Sequence, residues 1–570
     1  MKFGLSQYTL DLFFEKVLEK YPNNPALSLV GEKPFTFSEF GEKVYKLQVT
    51  LKALGIRKGD KIVILGTSSP NWAIAFMAIM TMGAVAVPVL EGFPETDIEH
   101  IIRHSDAEGI FISNSLHSTL NIELQRMKVV IKLDDFLLLD PNSKDKNIWK
   151  KIIEFPDKVI QAIGNELSGT PKYEIEEDDI AEILYTSGTT GHSKGVVLTH
   201  KNLVSNIFEG PDLLKVITEK SVVLSILPMA HAFGSTSSFL SIIYCGASIV
   251  FMDKKPSPKA LLETMQLVKP TIFGSVPLVF EKIYQKRVLP TIAQNRLFKL
   301  LSKGKTTKRL LNKIIGKKIK KLFGGKLDCV IIGGASFSPE VETFLIEGEI
   351  PYCCGYGLSE CAPLVTFSSM ETQKMGSPGH AVTDVEIKIM DADSKSGIGE
   401  ICIKGPNVMK GYYKNEEATS KSFTKDGWLI SGDKGYLDKD GFLFITGRSK
   451  NVIIGPSGEN IYPEVIEAKL LESSFVEEVI VYKSDNHLVA RILPDYTYIE
   501  NLKNTSNENR IASNVVEILE NVRRETNKNL PSFSQINKVV EQTSPFLTTP
   551  TNKIKRVEYV PGYLGNNSST

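Results

Sequence analysis

The sequence predicts an α/β protein with a large N-terminal domain, a β-rich subdomain within it and a small α+β C-terminal domain. Up to about residue 440, short β-branched runs alternate with turn glycines and helical periodicity, which is typical of largely parallel sheets. Between residues 384 and 447 the predicted strands follow one another closely, and after residue 450 helices and strands mix. A chain of 570 residues is long enough for several such units.

The predicted strands are short apolar runs that end at turn residues. In the α/β part they are Lys61–Leu65, Ile183–Tyr185, Ser221–Ser225 and Asp328–Ile332. In the β-rich part they are Val385–Met390, Gly399–Lys404 and Gly441–Thr446. The alternation of the first group with helical patterns favours parallel pairing, and the close spacing of the second indicates a smaller β-rich unit.

The C-terminal unit is predicted to begin near residue 450. Its expected elements are a helix at Tyr462–Glu472, strands at Val476–Tyr482 and Leu488–Leu493, and a helix near Ala512–Lys528. We therefore expect one domain over residues 1–449, a second over 450–562, and a disordered tail over 563–570.

Composition excludes several classes of protein. Lys and Arg number 67 and Asp and Glu 66, so the net charge of +1 fits neither a generically basic nucleic-acid binder nor an acidic disordered chain. Six cysteines without a C-x-x-C pair favour neither a disulfide framework nor a thiolate zinc site. No signal peptide and no clean apolar run of about 20 residues is expected, so the predicted location is cytoplasmic.

One segment stands out for its charge. Residues Lys286–Leu327, here called the basic segment, carry 14 Lys and Arg and no acidic residue over 42 positions. Leucines and isoleucines recur among these charges at helical spacing. The segment is typical of a solvated helical pair, of a peripheral surface for anionic lipid, or of a docking face for an acidic partner protein.

The loop after the predicted strand Ile183–Tyr185 carries the clearest chemistry. Its candidate phosphate ligands are Thr186, Ser187, Gly188, Thr189, Thr190, Gly191 and Lys194. Glycine amides, hydroxyls and one Lys can together hold a polyphosphate, although the spacing is not that of a P-loop. On these residues alone a flexible surface loop remains the alternative.

The loop is the first of several ordered motifs that resemble the adenylate-forming superfamily, which includes acyl-CoA synthetases, nonribosomal-peptide adenylation domains and luciferases. The other matching segments are Leu227–Gly234, Gly333–Ala335, Gly355–Glu360, Trp428–Asp433, Gly447–Lys450, Gly458–Glu464 and Thr551–Arg556. One such match is weak, but an ordered set over residues 24–556 is specific.

The resemblance implies a role for each matching residue. The loop residues and Lys194 would hold the β- and γ-phosphates of ATP. Glu360 would ligate Mg²⁺, and Lys553 would bridge the substrate carboxylate and the α-phosphate, with Lys555 as its nearby competitor. The remaining implied nucleotide ligands are Gly334, Ala335, Gly355, Tyr356 and Gly357 at the adenine, Ser359 at the α-phosphate, and Asp433 and Arg448 at the ribose.

The resemblance also implies a second half-reaction and a mobile C-terminal domain. Lys450 would be the hinge, Gly458 would border the thiol of coenzyme A, and His231 and Gly234 would belong to the acyl site. His100 and His104 have a metal-capable spacing, but no third ligand follows, so we expect no metal there.

Within the superfamily the sequence is most similar to long-chain fatty-acid–CoA ligases. The similarity lies in Val268–Tyr284, in the basic segment and in Leu488–Asp495. It implies fatty acid, ATP and coenzyme A as substrates, with Mg²⁺, in a monomer or homodimer. An acyl carrier protein as acceptor, and a non-catalytic nucleotide- or lipid-binding relative, remain alternatives.

Four positions depart from the family pattern. They are Ser193, Ser359, Leu278 and Asn552. None removes an implied role, although they could alter loop stiffness, acceptor preference or rate.

Overall fold

The computed structural model describes residues 2–119, 124, 126–139, 149–150, 174–186, 193–253, 258–335, 337–455, 459–484, 487–505, 515–549 and 553–561. Two nine-stranded sheets and two smaller sheets form the framework of these residues, together with one short hairpin. No described helix is long and apolar enough to cross a membrane.

The first nine-stranded sheet is parallel at its centre and antiparallel at both edges. In spatial order its strands are His380–Ala381, Leu364–Ser368, Tyr352–Gly357, Cys329–Gly333, Ile272–Ser275, Val222–Ser225, Ser248–Phe251, Pro25–Leu29 and Phe35–Thr36. The predicted parallel core is confirmed, since five successive pairs run in the same direction.

The second nine-stranded sheet repeats this plan. In spatial order its strands are Gly411–Tyr412, Lys194–Thr199, Ile180–Thr186, Val85–Val89, Lys61–Leu65, Ala107–Ile112, Val129–Lys132, Leu138–Leu139 and Trp149–Lys150. The strand Ile180–Thr186 pairs antiparallel with Lys194–Thr199, so the predicted phosphate loop connects two adjacent strands.

A buried helix fills the space between the two large sheets. The helix Pro70–Thr81 contacts Lys61–Leu65 and Val85–Val89 on one side and Pro25–Leu29 on the other. Ser69 caps it by accepting a hydrogen bond from the Trp72 amide at 3.1 Å. All of its residues but Asn71 are buried, which explains the absence of charge in this part of the sequence.

The other helices differ in burial: every residue of His200–Ile207 but Lys201 is buried, whereas Leu289–Gln294 and Arg296–Leu301 have no buried residue. Among the described residues up to 449 they are Leu10–Lys20, Phe37–Ala53, Glu95–His104, Asn114–Thr119, His200–Ile207, Glu209–Leu214, Ser241–Tyr244, Pro258–Val268, Pro277–Ile283, Leu289–Gln294, Arg296–Leu301, Lys305–Leu322, Pro339–Glu347 and Glu416–Lys421. Two π-helical turns, Phe233–Leu240 and Tyr284–Val288, and 3₁₀ turns at Lys2–Gly4 and Ser359–Cys361 complete this part.

The β-rich part is a four-stranded antiparallel sheet. Its strands are Glu386–Met390, Gly399–Lys404, Leu429–Leu437 and Leu443–Arg448. The prediction for Gly399–Lys404 is confirmed at both ends. The last strand starts two residues later than predicted because Gly441, at φ +83°, closes a turn by donating to the Asp438 carbonyl at 3.0 Å.

The C-terminal part has a core of its own, built from residues between 453 and 539. A three-stranded sheet of Val476–Ser484, His487–Pro494 and Lys538–Glu541 packs against helices Pro463–Leu471 and Val515–Lys528. The sequence missed the strand Lys538–Glu541 and the helix Tyr496–Thr505. The remaining elements here are the short hairpin Ile453–Ile454 with Asn460–Ile461, and 3₁₀ turns at Ser449–Asn451, Ser532–Ser534 and Arg556–Glu558.

Candidate active site

One cavity of about 2720 Å³ is lined by both large sheets, by the β-rich sheet and by the C-terminal part. Most residues that the sequence selected lie on its wall. They are Thr186, Lys194, His231, Gly334, Ala335, Gly355, Tyr356, Gly357, Ser359, Glu360, Asp433, Arg448, Lys450 and Lys553. Ser187, Gly188, Thr189, Thr190, Gly191 and Gly458 lie outside the described residues.

Gly234 does not line the cavity. A Cβ at this position would lie 2.0 Å from the carbonyl oxygen of Pro228, so only glycine allows the two backbones to approach this closely. This close approach gives Gly234 a structural role, and its implied place in the acyl site stays a prediction.

Asp433 is an acid of the cavity wall whose carboxylate is fixed by neighbouring side chains. It lies opposite Arg448 in the antiparallel pair of strands, and the Arg448 Nε atom is 2.7 Å from its Oδ1 atom. The Tyr356 hydroxyl donates to its Oδ2 atom at 2.7 Å, and the Asp433 amide donates to the Ser431 hydroxyl at 3.0 Å. Both carboxylate oxygens thus have a donor in a buried position, where an unpaired charge would be costly.

Burial raises the pKa of Asp433, and the nearby charges of Arg448 and Lys553 and the hydrogen bond from Tyr356 oppose that rise. Burial and the adjacent Asp433 charge raise the pKa of Tyr356 well above its ordinary value, so the hydroxyl stays protonated and donates. A carboxylate held in this way can accept hydrogen bonds from a pair of vicinal hydroxyls.

Glu400 connects this acid to the start of the C-terminal part. Its Oε1 atom accepts from the Gly432 amide at 2.8 Å, and its Oε2 atom accepts from the Ser449 hydroxyl. Lys434 Nζ lies 3.5 Å from the same carboxylate. One buried side chain therefore holds both the turn before Asp433 and the residue beside Lys450.

A second acidic position lies at Glu360, in the 3₁₀ turn Ser359–Cys361. The Tyr412 hydroxyl donates to its Oε1 atom at 2.9 Å, and Lys194 Nζ lies 5.0 Å from the centre of the Tyr412 ring. Glu360 and Lys194 are thus arranged around one tyrosine that the sequence did not select. The Glu360 carbonyl also accepts from the Met409 amide at 2.8 Å, which fixes the backbone of this turn.

The donor set fits Mg²⁺ bound together with a nucleotide. Among the described residues no three His, Cys, Asp or Glu side chains cluster as metal ligands. Mg²⁺ in nucleotide sites usually takes one or two carboxylates and completes its shell with phosphate oxygens and water. A single carboxylate, Glu360, on the wall of this cavity meets that requirement.

Lys553 reaches the cavity from the C-terminal part. Its amide donates to the Thr549 hydroxyl at 3.1 Å, and its carbonyl accepts from the Thr549 amide at 2.7 Å. Burial lowers the pKa of its ammonium group, and Arg448 adds to this effect while Asp433 and Glu360 oppose it. The cation therefore stands among the groups expected to surround a phosphate.

His231 faces the same space. Burial lowers its pKa to about 4, and Lys553 contributes to that shift, so the imidazole is neutral at physiological pH. Its Nδ1 atom accepts from the Phe233 amide at 3.3 Å, which places the ring proton on Nε2. The pKa of Lys450 is also lowered, by burial and by Lys194 and Arg448.

The cavity extends from these polar groups to an apolar wall. Residues of that wall are Met252, Leu261, Leu262, Val276, Ile319, Leu322, Phe323 and Ile331. It also reaches the exposed side chains of Lys282, Lys286 and Arg287, where it meets the surface. A charged site joined to an apolar space suits a substrate with one anionic end and one apolar end.

Sequence reasoning missed three polar residues around the site. Tyr412, Glu400 and Glu464 either line the cavity or contact residues that do. Asn451 Nδ2 donates to Glu464 Oε1 at 2.5 Å, so Glu464 holds the segment after Lys450. Glu464 ends a recognised motif, which was an available signal, whereas Tyr412 and Glu400 carry none.

Comparison with known proteins gives one family match and many relatives. Residues 14–413 match the family described as "AMP-binding enzyme". Long chain acyl-CoA synthetase 3 of Arabidopsis thaliana is 30% identical over 612 residues, covering 96% of this chain and 90% of the relative. Long-chain-fatty-acid--CoA ligase FadD15 of Mycobacterium tuberculosis is 28% identical over 469 residues, covering 78% and 74%.

Solved structures show the same fold over nearly the whole chain. ATP-bound MatB from Rhodopseudomonas palustris has a TM-score of 0.73 at 20% identity and covers 96% of this chain and 98% of its own. The adenylation domain of a carboxylate reductase from Mycobacterium chelonae has a TM-score of 0.77 at 20% identity and covers 98% and 90%.

Proposed function

The chain belongs to the AMP-binding enzyme family, and from this membership we propose that it is an acid–thiol ligase for long-chain fatty acids. It would join the acid to AMP with release of pyrophosphate, and then transfer the acyl group to coenzyme A. The substrate class rests on relatives named as long-chain acyl-CoA synthetases. The single observation that supports it is the continuous cavity that joins Asp433 and Lys553 to an apolar wall.

Adenylation brings two anions together. A carboxylate oxygen attacks the α-phosphorus of ATP, the acyl–phosphate bond forms, and the bond to pyrophosphate breaks. Lys553 would neutralise the charge that develops between the acid and the α-phosphate, since its ammonium group lies within the electrostatic reach of Asp433 and Glu360. Lys194 and the loop 186–191 would hold the leaving phosphates.

The nucleoside would be positioned by groups that the fold already orders. Asp433, fixed by Arg448 and Tyr356, would accept from the ribose hydroxyls. The backbone at Gly334, Ala335 and Gly355–Gly357 and the ring of Tyr356 would flank the adenine, while Ser359 would reach the α-phosphate. Glu360 would ligate Mg²⁺, which when bound neutralises phosphate charge.

The second half-reaction needs a different arrangement. The thiol sulfur of coenzyme A attacks the acyl carbon, the bond to AMP breaks, and the thiol proton goes to solvent. We propose that residues 450–562 rotate as a domain about Lys450, which withdraws Lys553 and brings Gly458 to the thiol. Residues 1–449 would form the other domain. The separate hydrophobic core of the C-terminal part supports such a division.

The acceptor, the assembly and the location belong to the same proposal. Coenzyme A is the expected acceptor, and the charge of the basic segment is the observation that favours an acidic acyl carrier protein as the second candidate. We expect a monomer or homodimer that works in the cytoplasm, with peripheral membrane contact through residues 286–327.

Acid-dependent exchange of pyrophosphate into ATP, without coenzyme A, tests the first half-reaction. We expect exchange to peak with long-chain fatty acids over short and aromatic ones. Lys553→Ala should lower exchange by about 10²- to 10³-fold, as expected for loss of a transition-state charge contact. If no acid supported exchange, the proposal would be overturned in favour of a binding protein.

The matched control is Lys555→Ala, because Lys555 lies two positions along the same segment and does not line the cavity. Both variants should still pass a supplied acyl-AMP to coenzyme A.

A separate assay distinguishes the two candidate acceptors. In it, an acyl carrier protein that carries the same pantetheine thiol replaces coenzyme A, and the rates of thioester formation with the two acceptors are compared.

A further inference from the structure

Lys553 lies on a short hairpin, here called the Lys553 hairpin, whose two sides are joined by backbone contacts. Thr548 and Ile554 form an antiparallel bridge, and the Lys555 amide donates to the Leu547 carbonyl at 2.8 Å. These contacts fix the two sides of the hairpin to each other. The direction in which the hairpin points is set by contacts with other elements.

Arg556, directly after the Lys553 hairpin, makes such contacts. Its Nη2 atom lies 2.7 Å from Oε1 and 2.5 Å from Oε2 of Glu467, and its Nη1 atom donates to the Val481 carbonyl at 3.2 Å. Glu467 belongs to the helix Pro463–Leu471, and Val481 belongs to the strand Val476–Ser484. One guanidinium group therefore joins the end of the hairpin to a helix and to a strand.

Glu467 contacts the same strand residue. Its Oε1 atom accepts from the Val481 amide at 2.6 Å, so the ion pair bonds both backbone groups of Val481. The strand of Val481 lies at the edge of its three-stranded sheet, where backbone groups need a partner other than a strand. The pair is thus fixed to the sheet as well as to itself.

The ion pair is largely shielded from water. The side chains of Arg556 and Glu467 are only 14% and 12% exposed. Burial raises the pKa of Glu467, while the charge and the hydrogen bonds of Arg556 oppose that rise. A charged pair in such a place keeps one geometry when further hydrogen bonds satisfy it, in contrast to a mobile surface pair. The contact can therefore serve as a rigid anchor.

The charge of Arg556 is directed at Glu467 and away from the reacting groups. Both residues border the cavity. The charges that act on the Lys553 ammonium group, however, are those of Arg448, Asp433 and Glu360. Any influence of the ion pair on Lys553 is therefore exerted through the position of the hairpin.

The helix that receives Arg556 also holds the segment after Lys450. Glu464 lies three residues before Glu467 on this helix, and its Oε1 atom accepts from Asn451 Nδ2 at 2.5 Å. Residues three apart lie on one face of a helix. One helix face thus carries both the contact to the segment beside Lys450 and the contact to the Lys553 hairpin.

We propose that Glu467 and Arg556 are positioning residues for acyl-AMP formation, whose ion pair directs the Lys553 ammonium group to the point where the acid meets the α-phosphate. This inference rests on the proposed function, in which Lys553 serves the first half-reaction and is withdrawn for the second. Misplacement of a catalytic group by about 1 Å can lower a rate about 10²-fold. The ion pair should therefore affect adenylation and leave acyl transfer unchanged.

The test uses Arg556→Lys and Glu467→Gln in the full chain. Lysine keeps a charge for Glu467 but lacks the planar group that reaches the Val481 carbonyl at the same time. Glutamine keeps an acceptor for the Val481 amide but loses the charge. Each variant should lower the maximal rate of pyrophosphate exchange with a long-chain acid at least about tenfold.

Two further readouts separate positioning from general damage. The KM for ATP should stay at the wild-type value, because the nucleotide is held by Asp433, Arg448 and Tyr356, which the substitutions leave in place. Single-turnover transfer from supplied acyl-AMP to coenzyme A should also keep its wild-type rate. Thermal unfolding sets the temperature of the assays, so that rates are compared where every variant is folded.

The double variant tests whether the two residues act as one unit. Arg556→Lys combined with Glu467→Gln should lower the exchange rate no further than the more impaired single variant, because either change already breaks the pair. Losses that multiply in the double variant would mean that the residues act separately, which would overturn the inference.

The matched control is Arg523→Lys. Arg523 Nε lies 2.8 Å from Glu520 Oε2, and Arg523 Nη1 donates to the Ile536 carbonyl at 2.9 Å, so it too joins a glutamate and a backbone group within the C-terminal part. It does not line the cavity. Both half-reactions should keep their wild-type rates in this variant.

Wild-type exchange in the folded variants Arg556→Lys and Glu467→Gln would overturn the inference and leave the proposed function intact. Equal losses in exchange and in acyl transfer would also overturn it, because the damage would then not be specific to Lys553. Absence of exchange in the wild type with every acid would overturn the inference together with the proposed function.

Discussion

At the scale of single residues, Asp433 shows how a buried acid is prepared for a ligand. Arg448 and Tyr356 each occupy one of its oxygens at 2.7 Å, so the carboxylate direction is set before any nucleotide arrives. Groups held in place in this way lose little entropy on binding. The tyrosine therefore orients the acid in addition to any contact with adenine.

Tyr356→Phe separates these two roles, because phenylalanine keeps the ring and loses the hydroxyl. A hydrogen bond to a charged group is worth about 1.5–3 kcal/mol, so the KM for ATP should rise about tenfold or more. Initial rates of exchange against ATP concentration measure it. Tyr436→Phe, on the strand of Asp433 and stacked on Phe444, is the control and should leave the KM unchanged. An unchanged KM in Tyr356→Phe would leave ring stacking as its only role.

Glu182 is a buried acid that the proposed chemistry does not use. Neither of its oxygens has a hydrogen-bond partner among the described residues, and burial raises its pKa from 4.5 to about 8. The folded state therefore holds a proton that the unfolded state releases above pH 4.5. Stability contributed by this group is complete below pH 4.5 and is lost as pH rises toward 8.

Glu182→Gln should remove the loss of stability that the wild type suffers as pH rises toward 8. The free energy of unfolding of the variant relative to wild type should grow with pH between 4.5 and 8, by about 1.4 kcal/mol per pH unit. Thermal unfolding of both proteins at pH 5 and pH 8 measures the trend through the difference in Tm. A difference that is equal at the two pH values would mean that Glu182 is ionised in the folded protein.

At the scale of elements, what the sequence could predict depended on whether the signal was local. Both ends of the strand Gly399–Lys404 are predictable, because the apolar pattern and the residues that bound it lie within this short segment. The strand Lys538–Glu541 was missed, because it is only half-buried and depends on parallel pairing with His487–Pro494, some 50 residues earlier. Pairing at that distance leaves no local pattern.

The same distinction applies to the site. Asp433, Glu360 and Lys553 were selected because each lies in a motif with a fixed order along the chain. Tyr412 contacts Glu360 from 52 residues away, and Glu400 contacts Gly432 from 32 residues away. Such contacts are made by sheet pairing and tertiary packing, so a sequence read alone carries no sign of them.

The helix Lys305–Leu322 of the basic segment packs closely against Gly348 because residue 316 is a glycine. Gly316→Ala would place a Cβ 2.1 Å from the Gly348 carbonyl, so the helix must move outward. Overpacking of this kind costs about 1–3 kcal/mol, which outweighs the gain of about 1 kcal/mol in helix propensity. Denaturant unfolding should show a net loss, whereas the exposed neighbour Lys317→Ala should be neutral or slightly stabilising. If Gly316→Ala were as stable as Lys317→Ala, the helix Lys305–Leu322 would not be in contact with Gly348.

At the scale of the whole molecule, the cavity is lined by residues that come before residue 449 in the sequence and by residues that come after it. Asp433 and Glu360 come from one side and Lys553 from the other, and Gln285 Nε2 reaches across to the Leu471 carbonyl at 3.1 Å. A movement of the C-terminal part would therefore change the site without altering either core. Glu400 is placed to influence that movement, because it holds Gly432 and Ser449 at once.

Glu400→Ala should therefore affect both half-reactions, while a change at Asp433 should affect nucleotide binding first. Loss of the contact with Gly432 frees the turn before Asp433, so the KM for ATP should rise several-fold. Loss of the contact with Ser449 frees the segment beside Lys450, so the rate of acyl transfer to coenzyme A, relative to adenylation, should also change. Single-turnover transfer from supplied acyl-AMP measures the second effect separately from exchange.

Glu400→Gln is the matched control for this prediction. Its amide oxygen can still accept from one of the two donors, but it lacks the charge that faces Lys434 at 3.5 Å. We expect it to keep part of one contact and to fall between wild type and alanine in both assays. If alanine raised the KM for ATP and left transfer unchanged, Glu400 would order the ribose site alone, and the coupling between the two parts of the molecule would have to run through Glu464 and Asn451.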